Sequence, residues 1–132
     1  MRIMVYCKNI EKMAKSLAIA VEHGKAFNAS VDLVTAFEDR TDLPGEVIEK
    51  ATEQLKNIAM EISTNEGIQC TSQVLVTTLS IGEELIRYAE KNDIHEIIIG
   101  LKKRSKMGKL FFGSNTQYII LEAPCRVVSI KE

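Results

Sequence analysis

The sequence predicts an α/β fold, a three-layer α/β/α sandwich around a doubly wound sheet of five parallel strands. Strand and helix signals alternate along all 132 residues with no proline-rich linker, internal repeat or low-complexity segment, which is the pattern of βαβ units. The run Ile94 to Ile99 is the most hydrophobic short stretch of the chain, as a central parallel strand buried on both faces requires. The length and a hydrophobic content of 45% suffice for one domain with one sizeable core and leave no room for a second.

Taken in order, residues 2 to 8 form the first strand. Asn9 stands where it can cap a helix whose apolar positions Ile10, Met13, Leu17, Ala20, Val21, Gly24 and Phe27 follow helical spacing. Val31 to Phe37 is the second strand. Pro44 opens a long second helix with an apolar stripe through Val47, Ile48, Ala51, Leu55, Ile58, Ala59 and Ile62, and Gly67 closes it. Ile68 to Val76 is the third strand. Ser80 and Glu83 have capping-box spacing ahead of Leu85, Ile86 and Ala89 in a third helix. Ile94 to Ile99 is the fourth strand. Ser114 and Gln117 repeat the capping-box spacing before a short helix to about Leu121, Pro124 ends it, and Cys125 to Ile130 is the last strand.

Four right-handed crossovers in the strand order 3-2-1-4-5 place a topological switch point between the ends of strands one and four, where such sheets bind ligands. There, Cys7 to Asn9 meet the chain from Gly100 onward. Lys102, Lys103, Arg104, Lys106 and Lys109 carry five positive charges with no acid among them. The whole chain has a net charge of −1, so the rest of the molecule is acidic. This imbalance suits a compact anion and disfavours nucleic acid or an anionic membrane as partner. The helix starting near Ser114 offers backbone amides without internal partners, with the hydroxyls of Ser114 and Thr116 and the amide of Asn115 alongside. Phosphate is the first ligand class to consider. Leu110 to Phe112 are read as the apolar anchor of the basic loop or as a partner-binding patch.

Cys7, Cys70 and Cys125 are odd in number, far apart and set in apolar runs, so they read as buried thiols in a reducing compartment. His23 and His95 have no carboxylate or cysteine at ligand spacing and are assigned structural roles. No apolar run approaches the roughly 18 to 20 residues of a membrane helix, and no leader pattern opens the chain, so the expected location is the cytoplasm. A P-loop and a dinucleotide fingerprint are both absent, and Cys7-Lys8-Asn9 lacks the carboxylates that would gather Mg²⁺ in a receiver domain. No metal site is expected, and no carboxylate cluster or base accompanies the loop, so the chain is not expected to be a dedicated enzyme.

The remaining pattern resembles the universal stress protein family over the full length of the chain. In its nucleotide-binding branch the signature is G-x2-G-x9-G-S/T after a strand of the type I-V-M-G. Gly100 matches the first glycine, and Gly113 with Ser114 matches the last pair. Leu121-Glu122-Ala123-Pro124-Cys125-Arg126-Val127-Val128 looks like the family's closing A-P-C-P-V-L-V. The resemblance implies an adenine nucleotide alpha hydrolase-like fold and a site for ATP, AMP or another phosphate ligand at Lys8, Ala36, Gly100, Lys103, Arg104, Gly113, Ser114, Asn115 and Thr116. Ala36 falls where family binders cover the adenine. It also implies a homodimer joined through Arg126, Val127, Val128, Ser129 and Ile130.

Two positions depart from the motif. The family's second glycine falls at Lys103, and the acid that contacts the adenosine falls at Lys8. A lysine has a Cβ and cannot give the backbone a glycine's freedom, and at Lys8 a cation replaces an acceptor for ribose hydroxyls. Lys8, Lys103 and Arg104 can instead hold phosphate through charge-assisted bonds. Gly113 is expected to serve both the close approach of the loop and its turn. Two readings therefore stand side by side. One is a non-catalytic nucleotide-sensing module, in which any ATP hydrolysis is slow and incidental. The other is an interaction protein without a nucleotide, acting on protein partners through the basic loop and the dimer edge.

Overall fold

A computed structural model describes residues 1–102 and 112–132. Strand β1 (Arg2–Tyr6) leads through a short 3₁₀ turn (Ile10–Lys12) into α1 (Ala14–Phe27), and β2 (Ser30–Glu38) is followed by α2 (Gly45–Glu66). Then come β3 (Cys70–Thr77), α3 (Ile81–Lys91), β4 (Glu96–Leu101), α4 (Ser114–Glu122) and β5 (Arg126–Lys131). The sheet order is β3-β2-β1-β4-β5 and every pairing is parallel, which is the predicted topology.

The alternation of side chains along each strand builds two cores. Ile3, Val5, Leu33 and Ile98 point to one face and meet Ala20 of α1 with Leu55 and Ala59 of α2. Met4, Tyr6, Val34, Ile97 and Ile99 point to the other and meet Leu85, Ile86 and Ala89 of α3 with Ile119 of α4. Because β1 and β4 are covered on both faces, their sequences are continuously apolar rather than alternating.

Capping chemistry sets the helix limits. Ser80 Oγ accepts from the Glu83 amide at 3.2 Å, as its spacing predicts, and its hydroxyl donates to Glu83 Oε1 at 3.0 Å. Gly67 ends α2 at φ +66°, a left-handed conformation that costs glycine little.

Four local expectations are corrected. Asn9 does not cap the first helix. The chain makes a 3₁₀ turn there, and α1 begins after Met13, whose φ of −129° breaks the helical path while its side chain is seated in the core at 4% exposure. Ser114 is not a cap either: Gly113 holds the cap position, and Gln117 Nε2 donates to the Phe112 carbonyl at 2.8 Å. β4 starts two residues late, because Ile94 donates its amide to the Ala89 carbonyl as the chain leaves α3. Phe27, counted in the apolar stripe of α1, is 46% exposed.

Candidate functional site

At the carboxyl ends of β1 and β4 the chain leaves the sheet in opposite directions, toward α1 on one face and α4 on the other. The gap between these departures is a cleft of about 650 Å³, within the roughly 300 to 1,000 Å³ usual for small-molecule sites. Tyr6, Gly100 and Leu101 line it from the strands. Asn9, Lys12, Lys15 and Ser16 line it from the turn and the first residues of α1, and Gly113 and Thr116 from the start of α4. Lys8, Lys102 and Glu132 add charged groups to the lining.

Four lysines and one glutamate give the described lining a positive balance. The Lys8 ammonium lies 3.7 Å from where a β-carbon on Gly113 would stand, which sets it beside the opening turn of α4. The first amides of that helix have no carbonyl partner inside it and carry the positive end of its dipole. Burial and, next, the neighbouring Cys7 push the Tyr6 phenol up to about 12, so it faces the cleft as a neutral hydroxyl. Such a surface offers donors and positive charge to an anion. Among the described residues no three His, Cys, Asp or Glu side chains gather as metal ligands.

Of the residues singled out from sequence, the structure brings Lys8, Gly100, Gly113 and Thr116 to the cleft. Ala36 lies instead in the core face shared with α3, 5% exposed. Asn115 turns away, its Oδ1 accepting from the Gly82 amide at 2.8 Å and so fastening α4 to α3. Ser114 is exposed and does not line the cleft. Lys103, Arg104, Lys106, Lys109, Leu110 and Phe111 lie outside the described residues, while Phe112 packs on the second core. Gly113 has φ −64° and ψ 163°, extended backbone open to any residue, so its role in a turn is not supported and only close approach remains.

Sequence reasoning missed Lys12, Lys15, Ser16 and Glu132. The two lysines stand three residues apart at the start of the first helical region, a legible signal. Ser16 and Glu132 are 116 residues apart and meet only in the fold. The cysteines also need refinement: Cys7 and Cys70 are buried, whereas Cys125 is half-buried.

A second polar cluster lies at the far end of β4. The Glu96 side chain, 2% exposed, accepts from Arg126 Nε at 2.9 Å and lies 2.6 Å from His23 Nδ1. The Arg126 guanidinium covers the Phe27 ring, 5.3 Å from its centroid. The structural assignment of His23 therefore includes a carboxylate that its sequence neighbourhood did not reveal.

Among known proteins, residues 1–131 match the family model described as the universal stress protein family. A protein of Thermus aquaticus described as a universal stress protein in the QAH/OAS sulfhydrylase 3′ region is 26% identical over 124 residues, covering 89% of this chain and 88% of its own. The solved structure of a universal stress protein from Archaeoglobus fulgidus superimposes with a TM-score of 0.87 at 30% identity, covering 99% of this chain and 98% of that one. A universal stress protein structure from the same organism in complex with dAMP superimposes with a TM-score of 0.80 at 25% identity, again over 99% and 98% of the two chains.

Proposed function

The chain belongs to the universal stress protein family, and from that premise we propose that it is a non-catalytic cytoplasmic module that binds AMP or ATP in the cleft between β1 and β4. The observation that carries this reading is the convergence of Lys8, Gly113 and the opening turn of α4 on one positively balanced cleft. The phosphate lies in the cleft between those amides and the start of α1, with Lys8 and Lys102 supplying charge-assisted bonds. The Archaeoglobus fulgidus structure with dAMP supports an adenine nucleotide as the ligand. In the Lys8 position a cation serves the phosphate rather than the ribose, a change in how the nucleotide is held.

The partner in this proposal is a second copy of the chain. Among the described residues β5 pairs only with β4 and stands at the sheet edge, with Arg126 and Ser129 exposed and Val127, Val128 and Ile130 half-buried. Such an edge is open to pairing about a two-fold axis. Three free cysteines fit a reducing compartment. The alternative, an interaction protein without nucleotide, draws on Lys8 and on the absence of Ala36 and Asn115 from the described cleft lining.

Calorimetric titration of AMP and ATP into the purified protein tests the proposal, with micromolar binding expected. Gly113→Val is expected to fold normally, since among the described residues its new β-carbon meets only the Lys8 ammonium, and to weaken binding more than tenfold. Silence toward both nucleotides at millimolar concentration would favour the interaction protein. Unchanged affinity in folded Gly113→Val would remove α4 from the site.

A further inference from the structure

The cleft already holds an anion of its own. The amide of Glu132 donates to the Leu101 carbonyl at 3.0 Å, carrying the β4–β5 ladder one residue past β5. Its side chain falls on the α1 side of the sheet, the same side as Val128. There the carboxylate reaches the start of α1. Oε1 accepts from the Ser16 amide at 2.8 Å and from Ser16 Oγ at 2.6 Å, and Oε2 accepts from the Lys15 amide at 3.3 Å.

The route of this strap depends on the residue beneath it. A β-carbon at position 100 would stand 2.8 Å from Glu132 Cγ and 3.2 Å from Ser16 Oγ, so glycine is what lets the side chain cross β4. Ser16 is 1% exposed, and its hydroxyl has Glu132 as its acceptor. If the strap leaves, the buried Ser16 hydroxyl and its part-buried amide lose their acceptor and favour another oxyanion, whereas the exposed Lys15 amide can turn to water. The donors therefore suit whichever acceptor is present, the glutamate or the charged group of a ligand.

We propose that Glu132 is a built-in competitor of the cleft: docked, its carboxylate occupies the anion position at the start of α1, and a phosphate ligand takes that position only when Glu132 swings out. The proposal rests on the nucleotide reading above. It makes the affinity of the cleft a balance between an internal and an external anion. A strap docked about nine-tenths of the time leaves about one site in ten competent, so its removal tightens apparent binding about tenfold.

The test is a titration of AMP into the wild type, Glu132→Ala and Glu132→Gln, with the backbone amide resonances of Lys15 and Ser16 recorded before and after. The expected result is about tenfold tighter binding for Glu132→Ala and a smaller gain for Glu132→Gln, whose neutral amide docks more weakly. Before AMP is added, the Lys15 and Ser16 resonances of Glu132→Ala should differ from those of the wild type, and saturation should draw the two proteins together. Wild-type binding with no gain in Glu132→Ala, even with lowered stability, makes Glu132 a structural clamp and overturns the competitor alone. Unaltered Lys15 and Ser16 resonances in Glu132→Ala overturn it as well. No AMP binding by any of the three overturns the nucleotide reading and the competitor with it.

Discussion

Replacing Arg126 with leucine should cost more than removing the charge it faces. Glu96 sits with its side chain 2% exposed between Arg126 Nε and His23 Nδ1, so its oxygens have little water to fall back on. Truncating one partner of a fully buried ion pair costs about 3 to 5 kcal/mol, because the other charge stays behind uncompensated. Arg126 is 54% exposed, so solvent reaches its side of the pair and the cost falls toward that of one hydrogen bond to a charged group, about 1.5 kcal/mol. In a chain of this size that lowers Tm by about 5 °C. Glu96→Gln keeps an acceptor for Arg126 and offers a donor to the imidazole, leaves only the exposed guanidinium charge behind, and should cost less. Combined with Arg126→Leu it should recover part of the loss. Urea denaturation of the four proteins, read as a double-mutant cycle, measures this. Strictly additive costs, or a larger loss for Glu96→Gln than for Arg126→Leu, would refute the view that a buried charge governs the cluster.

Thiol reactivity should follow burial. Desolvation, with a lesser contribution from the Asp32 charge, pushes Cys70 up to about 12, and desolvation raises Cys7 further. Desolvation raises Cys125 as well, but it is half-buried where the other two are buried, so at pH 8 a disulfide reagent should label Cys125 in the native protein and the other two only after denaturation. Rapid native labelling of Cys7 would contradict the packing of β1. At the start of α3, Ser80→Ala removes the acceptor for the Glu83 amide and should cost about 1 kcal/mol in a thermal or urea melt, with no change in AMP affinity. An unchanged midpoint would show that the cap contributes nothing there.

Much of this molecule was legible without coordinates because its signals are local. The apolar runs of β1 and β4 report burial on both faces, the spacing of Leu85, Ile86 and Ala89 reports a helix face, and Ser80 with Glu83 and Gly67 report helix ends through bonds and dihedrals within a few residues. The switch point follows from strand order, Lys8 and Gly100 follow from the switch point, and Gly113 follows from the family motif. The local rule failed where tertiary packing outweighed it. Met13 is drawn into the core and interrupts the first helix, Asn115 is taken by the Gly82 amide rather than the cleft, and Ala36 is held against α3.

The sequence by itself determined the layers, the order of elements and the end of the sheet where the cleft opens. Periodicity and capping are properties of neighbouring residues, and they survive in the string. Only the tertiary structure decided which charges meet: Glu132 on Ser16 across 116 positions, His23 beside Glu96 across 73, and Arg126 on Glu96 across 30. Spacing along the chain carries no record of such pairs, because the sheet brings them together by stacking strands whose order differs from their order in sequence.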